Sequence, residues 1–227
     1  MRVVSHIRAV VKKNTKDIFR NFQILILFLV YPIIGFIMAT SMGDQKSFFI
    51  VTFATMHFVF APIVVTTVLL AEEREMNTLR VLRMSGITSM EYLVSTAIFV
   101  LVFDMVSGAS FLIFGDMDAI QVGKFLAAGM IGGLISIVIG LAIGTYAKST
   151  GAANGLAVPL GMVFSFLPMI ASFNPGVEQV SKYLYGQQIH FMMQGADVSI
   201  EMILVLIVNG MVILGVYLWL YSRNNLE

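Results

Sequence analysis

Apolar residues fall into six long blocks, at 22–40, 47–70, 92–114, 125–146, 152–173 and 202–221, and the charged residues lie in the gaps between them, Asp104 excepted. A helix rises about 1.5 Å per residue, so about 20 apolar residues cross a hydrocarbon layer about 30 Å thick. Each block meets that length. None shows the strict alternation of a barrel strand, and lipid offers the backbone no outside hydrogen-bond partner, so the blocks predict six transmembrane helices. The fold class expected is an all-α membrane protein forming a single transmembrane domain over 1–227, with no linker or low-complexity tract.

Composition strengthens this reading. The chain is 58% hydrophobic and 12% charged, against about half and about a quarter in ordinary soluble domains. It has no cysteine, which excludes a disulfide scaffold and any metal centre built on thiolates. The net charge of +1 matters less than its distribution. Eleven of the fourteen Lys and Arg residues fall on one side of the predicted layer: Arg2, Arg8, Lys12, Lys13, Lys16, Arg20, Arg74, Arg80, Arg83, Lys148 and Arg223. Only Lys46, Lys124 and Lys182 fall on the other, so both termini are expected in the cytoplasm. The first block is too long for the core of a signal peptide, despite the small residues Ala39-Thr40-Ser41 behind it.

Residues 1–20 place Val3, Val4, Ile7, Val10 and Val11 at helical spacing, with Arg8, Lys12 and Lys13 off that stripe. This predicts an amphipathic helix lying on the inner leaflet. The inner loop between the second and third blocks reads Glu72-Glu73-Arg74-Glu75-Met76-Asn77-Thr78-Leu79-Arg80-Val81-Leu82-Arg83-Met84-Ser85-Gly86. Asn77 or Thr78 can cap a short helix, Leu79, Val81 and Leu82 give it an apolar side, and Gly86 can end it in a left-handed conformation. Thr88 and Glu91 have the spacing of a capping box for the third span. Three acids on the side that gathers bases are unusual unless something positive meets them.

The run Glu72-Glu73-x-Glu75-x-Asn77-Thr78-Leu79-x-x-Leu82-x-x-Ser85-Gly86 resembles the coupling-helix region of type-2 ABC transporter permeases, as does the whole order of elements. Asn77 stands where many members have Gly, and Gly86 where many have Pro. The resemblance implies that Glu72, Glu73 and Glu75 meet basic residues of a separate ATPase subunit. It further implies that Thr78 caps the coupling helix, that Leu79 and Leu82 fill a cleft in that subunit, and that ATP and Mg act through the partner alone. Such a permease pairs with a second copy or a related permease and moves hydrophobic or amphipathic cargo, such as peptide, lipid or drug, out of a bacterial cell. The chain itself supplies no phosphate loop, because Gly144-Thr145-Tyr146-Ala147-Lys148-Ser149-Thr150 lacks the glycine before the lysine and ends an apolar helix.

Within the blocks, His57 and Asp104 fall at one expected depth on neighbouring antiparallel helices. They are read as a pair lining or reporting a pathway, or as two separately satisfied groups. Gly129, Gly133, Ser136, Gly140 and Gly144 form one stripe of small residues that lets a helix approach closely, from the same subunit or a second copy. Asn154 and Asn209 read as interhelical hydrogen-bonding groups, and Pro159 and Pro168 permit bends in the fifth span. After Asn174-Pro175-Gly176, Val177, Val180 and Leu184 form an amphipathic turn ending near Gly186, followed by Ile189, His190, Phe191, Met192 and Met193. That is an outer helical segment too short to span. His6, His57 and His190 are too scattered for a metal site, and no nucleophile–base set stands out, so neither catalysis nor a bound metal is expected. Nucleic acid is not among the partners expected. The alternatives to an ATP-driven exporter are an ion- or proton-coupled secondary transporter and a non-transporting membrane sensor or immunity protein.

Overall fold

The structure, a computed structural model, describes residues 2–223, except for the side chains of Arg2, Arg20 and Gln23. Two of the bases counted above, Arg2 and Arg20, therefore have side chains outside the described residues. Apart from a short 3-10 turn at Gly43–Gln45, the regular elements of the described residues are all α-helices: α1 Arg2–Arg20, α2 Phe22–Ser41, α3 Lys46–Glu75, α4 Thr78–Met84, α5 Ser89–Gly108, α6 Phe111–Phe114, α7 Ala119–Tyr146, α8 Thr150–Ala171, α9 Pro175–Ser181, α10 Tyr185–Met193 and α11 Ile200–Arg223. Six candidate spans are long and apolar enough to cross a membrane, which fits a multi-pass membrane protein. They are formed by α2, α3, α5 with α6, α7, α8 and α11.

The bundle is built around α3. It packs against α2, α5, α7, α8 and α10, and its residues from Ile50 to Ala71 are buried almost without a break. By contrast α11 rests on α7 and α10, and only Met202 and Tyr217 along its length are buried. A helix apolar on every side needs other helices or lipid around it. α3 has the former, while α11 leaves most of its surface for the latter.

Local sequence fixes several ends. Thr88 and Glu91 form the expected capping box at the start of α5, with Glu91 N–H donating to Thr88 Oγ1 at 3.2 Å and Thr88 N–H to Glu91 Oε2 at 2.8 Å. Asp118 and Gln121 form a second such box, which starts α7 at Ala119 rather than at 125. Asn174 accepts the amides of Gly176 and Val177 ahead of Pro175 and so opens α9.

Four expectations need correction. The second span does not stop at 70, because the helix continues through the charged residues to Glu75. The third is not one helix: α5 ends at Gly108, and a turn at 109–110 separates it from α6. Ser107 and Ser110 bond back to the carbonyls of Phe103 (2.8 Å) and Ser107 (2.6 Å) there, which competes with continued helix. On α1 the buried positions are Val10, Asn14 and Ile18, while Val3 and Val4 are exposed. The buried stripe is therefore displaced toward the C-terminus, where α1 lies against α5. In the segment after α8, Val180 is exposed and Ser181 buried, and Gly186 lies inside α10 rather than ending a turn. A Cβ on Gly186 would stand 2.3 Å from the Phe164 carbonyl oxygen, so glycine lets α10 seat on α8.

Candidate functional site

The motif at 72–86 forms the junction at one end of the bundle. Glu72 accepts a hydrogen bond from Asn21 Nδ2, between α1 and α2, at 3.3 Å. Glu73, nearly buried, pairs with Lys13 of α1, which also reaches Asp17 at 2.9 Å. Burial pulls the Lys13 ammonium down, but hydrogen bonds to Asp17 and Glu73 and their charge outweigh it and leave its pKa raised. Arg74 donates to the carbonyls of Gly144 (3.1 Å), Thr145 and Ala147 (3.0 Å), the last carbonyls at the C-terminal end of α7. Glu75 accepts from the N–H (2.8 Å) and hydroxyl (2.6 Å) of Thr150, the first residue of α8.

Adjacent residues thus match opposite helix dipoles, a cation on the C-terminus of α7 and an anion on the N-terminus of α8. This arrangement explains why a helix carries four consecutive charges without breaking. Each charge is answered inside the chain, and α1, α2, α7 and α8 are all fastened to the end of α3. All three acids expected to face a partner are engaged in this way.

α4 projects from this junction. Asn77 occupies its N-cap position with φ +56°, a left-handed conformation that asparagine tolerates better than most residues. Neither Asn77 nor Thr78 caps α4 through its side chain, since the turn itself redirects the chain. At the other end Gly86 has φ +87°. Gly86 N–H donates to the Arg83 carbonyl (2.9 Å) and Ile87 N–H to the Leu82 carbonyl (3.1 Å), a Schellman ending. Leu79 and Leu82 are partly buried against the chain's own core. The apolar side chains presented outward are Met76 (77% exposed), Val81 (60%) and Met84 (83%), with Arg80 and Arg83 exposed among them. The 3.6-residue periodicity of 76–84 could have separated these two faces. What it could not supply is which face the bundle covers.

Sequence reasoning also missed the in-chain partners Lys13, Asn21 and Thr150. Ser149-Thr150 after an apolar block is legible as a helix start, and Ser149 does accept the Ala152 amide at 3.3 Å. That Glu75 reaches this start is a tertiary fact.

The second cluster lies inside the bundle. His57 on α3 and Asp104 on α5 are both 0% exposed, with His57 Nε2 3.2 Å from Asp104 Oδ1. The same nitrogen lies 3.2 Å from the Asp104 backbone carbonyl oxygen and 3.0 Å from Ser107 Oγ. Neither carboxyl oxygen of Asp104 makes a hydrogen bond among the described residues. Phe28, Phe58 and Phe111 ring the imidazole at centroid distances of 5.2 to 6.4 Å. The predicted proximity is therefore present, as a close but sealed contact.

The glycine stripe of α7 faces α3 and α5 of the same chain. A Cβ on Gly129 would stand 2.8 Å from Phe58, and one on Gly133 would stand 3.1 Å from Asp104 Oδ2. At Gly140 it would lie 2.7 Å from the Ile63 carbonyl oxygen, and at Gly144 2.9 Å from Leu70 Cβ. Ser136 on this helix meets the buried Tyr185 hydroxyl of α10 at 3.0 Å. Asn209 on α11 binds the turn before α10, accepting from Tyr185 N–H at 3.3 Å and donating to the Tyr183 carbonyl at 2.9 Å.

Among the described residues no three His, Asp or Glu side chains gather as a metal site. Compared with protein-family models and with curated proteins, the sequence matches neither.

Proposed function

We propose that this chain is the membrane subunit of an ATP-driven exporter, worked by separate nucleotide-binding subunits that bear on α4. The observation carrying the proposal is mechanical. A short helix and the turn before it present Val81, Met84 and Met76 outward, and its root is joined by an ion pair and hydrogen bonds to α1, α2, α7 and α8. Force applied to α4 is therefore delivered to several spans at once. Exposed apolar side chains beside Arg80 and Arg83 also have the mixed character of a docking surface. The apolar outer surfaces of the bundle suit a dimer with a second permease and a hydrophobic or amphipathic cargo.

The test is to purify the tagged full-length chain from its native membranes and assay the eluate for a bound nucleotide-binding subunit and for ATP hydrolysis. Val81→Asp with Met84→Asp, both at exposed positions, should abolish the association while leaving the helical content and thermal stability of the chain unchanged. Transport by the chain alone in vesicles that contain no second protein would overturn the proposal.

An ion- or proton-coupled carrier is the second reading, favoured by the buried His57–Asp104 contact. It predicts transport without ATP that collapses when the proton gradient is dissipated.

A further inference from the structure

Toward the α4 end of the bundle, α7, α8 and α11 leave a groove of about 290 Å3 between them, walled by Ile143, Tyr146, Leu156, Leu160, Val216 and Leu220 among other apolar side chains. All three helices are candidate membrane spans, and Leu156, Leu160 and Val216 are each at least 40% exposed on their outer side. The groove therefore opens sideways to hydrocarbon. Along α11 it runs from Val212 to Leu220, about 12 Å at 1.5 Å per residue, within the roughly 15 Å depth of one leaflet.

Its end is charged. Arg223 follows Leu220 by three residues on α11, continuing the stripe of Ile213, Val216 and Leu220, and Lys148 follows Tyr146 by two residues. Both cations are exposed. Neither forms an ion pair among the described residues, and the Arg223 guanidinium instead lies 4.4 Å over the Trp219 ring. Trp219 and Tyr146 are 53% and 57% exposed, amphipathic rings at the level where apolar wall gives way to charge.

We propose that this groove holds an acyl chain of an anionic phospholipid whose phosphate is bound by Lys148 and Arg223. An apolar channel alone accepts any chain, whereas two cations at its mouth select for negative charge. The proposal rests on membrane embedding and not on the transport reading, so a chain that works without an ATPase leaves it intact.

Trp219, next to the groove-lining Leu220, is the only tryptophan in the sequence, so its fluorescence reports lipid beside the groove. The full-length chain is reconstituted in phosphatidylcholine bilayers containing an equal small fraction of either phosphatidylglycerol or phosphatidylcholine brominated in one acyl chain, and quenching of tryptophan fluorescence is recorded. The anionic lipid should bind more tightly by a factor on the order of ten. Lys148→Gln with Arg223→Gln should bring that ratio close to one, and Leu160→Phe, which fills the groove, should lower maximal quenching by both lipids. Equal quenching in the unmodified chain would overturn the proposal, and so would a preference that survives the double substitution. Maximal quenching unchanged by Leu160→Phe would do the same. A Trp219 that no lipid reaches until the protein is diluted in excess lipid would show the groove covered by a second copy, again overturning it.

Discussion

A carboxyl group with no exposed surface and, among the described residues, no hydrogen bond to either oxygen, as in Asp104, is held in place by what surrounds it. His57 Nε2 lies 3.2 Å from its Oδ1. Groups this close and this dry couple strongly, so His57→Ala and Asp104→Ala should be non-additive by about 1 kcal/mol or more in a double-mutant cycle of unfolding. Additivity in that cycle would show two separately satisfied groups. The glycines offer a sharper contrast. A Cβ at Gly140 meets the backbone carbonyl of Ile63 at 2.7 Å, while one at Gly210 has no neighbour within 4 Å. Gly140→Ala should therefore destabilise by about 1–3 kcal/mol, and Gly210→Ala should be neutral or slightly stabilising. Thermal unfolding of the two variants side by side checks this. The spacing of the small residues was readable in the sequence. Their neighbours were not, because a stripe on one helix says nothing about which helix approaches it.

Among elements, the joint between α3 and the α7–α8 turn depends on Arg74. Removing its guanidinium leaves the carbonyls of Gly144, Thr145 and Ala147 without their donor, so Arg74→Ala should cost about 1–3 kcal/mol. It should also speed hydrogen exchange across 144–152 more than elsewhere. At the opposite end, α10 is buried along nearly its whole length although it carries Gln187, Gln188 and His190. His190 Nδ1 sits 3.1 Å from Thr55 Oγ1 and its Nε2 3.0 Å from Gln194 Nε2. Burial lowers its pKa to about 4, against about 6.5 when unfolded. The folded chain thus resists protonation more than the unfolded one. Its contribution is full above about pH 6.5 and is lost as the pH falls toward 4, by about 3 kcal/mol in all. Melting temperatures taken between pH 7 and pH 4.5 should fall in the unmodified chain and fall less in His190→Gln. Hydropathy identified the long apolar helices well because lipid-length runs leave little ambiguity. It ended the second span at 70, because Glu72, Glu73, Arg74 and Glu75 are charged, although the helix runs on to Glu75. Such residues read as loop until their partners on other helices are known.

For the molecule as a whole, alternation of the six candidate spans puts α4 and the α7–α8 turn at one end, with the α5–α7 and α8–α11 connections at the other. The absence of cysteine makes this arrangement testable without background. Single substitutions Ser85→Cys and Lys148→Cys should react with a membrane-impermeant maleimide only after the cells are opened. Asp116→Cys and Glu178→Cys should react from outside. The opposite pattern would place α4 outside and remove the exporter reading.

The central position of α3 also bears on how the chain is made. Its last residue is Glu75, yet α8, which closes one of its sides, ends only at Ala171. At about 5–20 residues per second of synthesis, α3 waits roughly 5–20 s before Phe60 meets Gly161 of α8. A nascent chain in that condition depends on the insertion machinery to shelter it, and stalling of the ribosome anywhere between the two helices would hand it to membrane proteases.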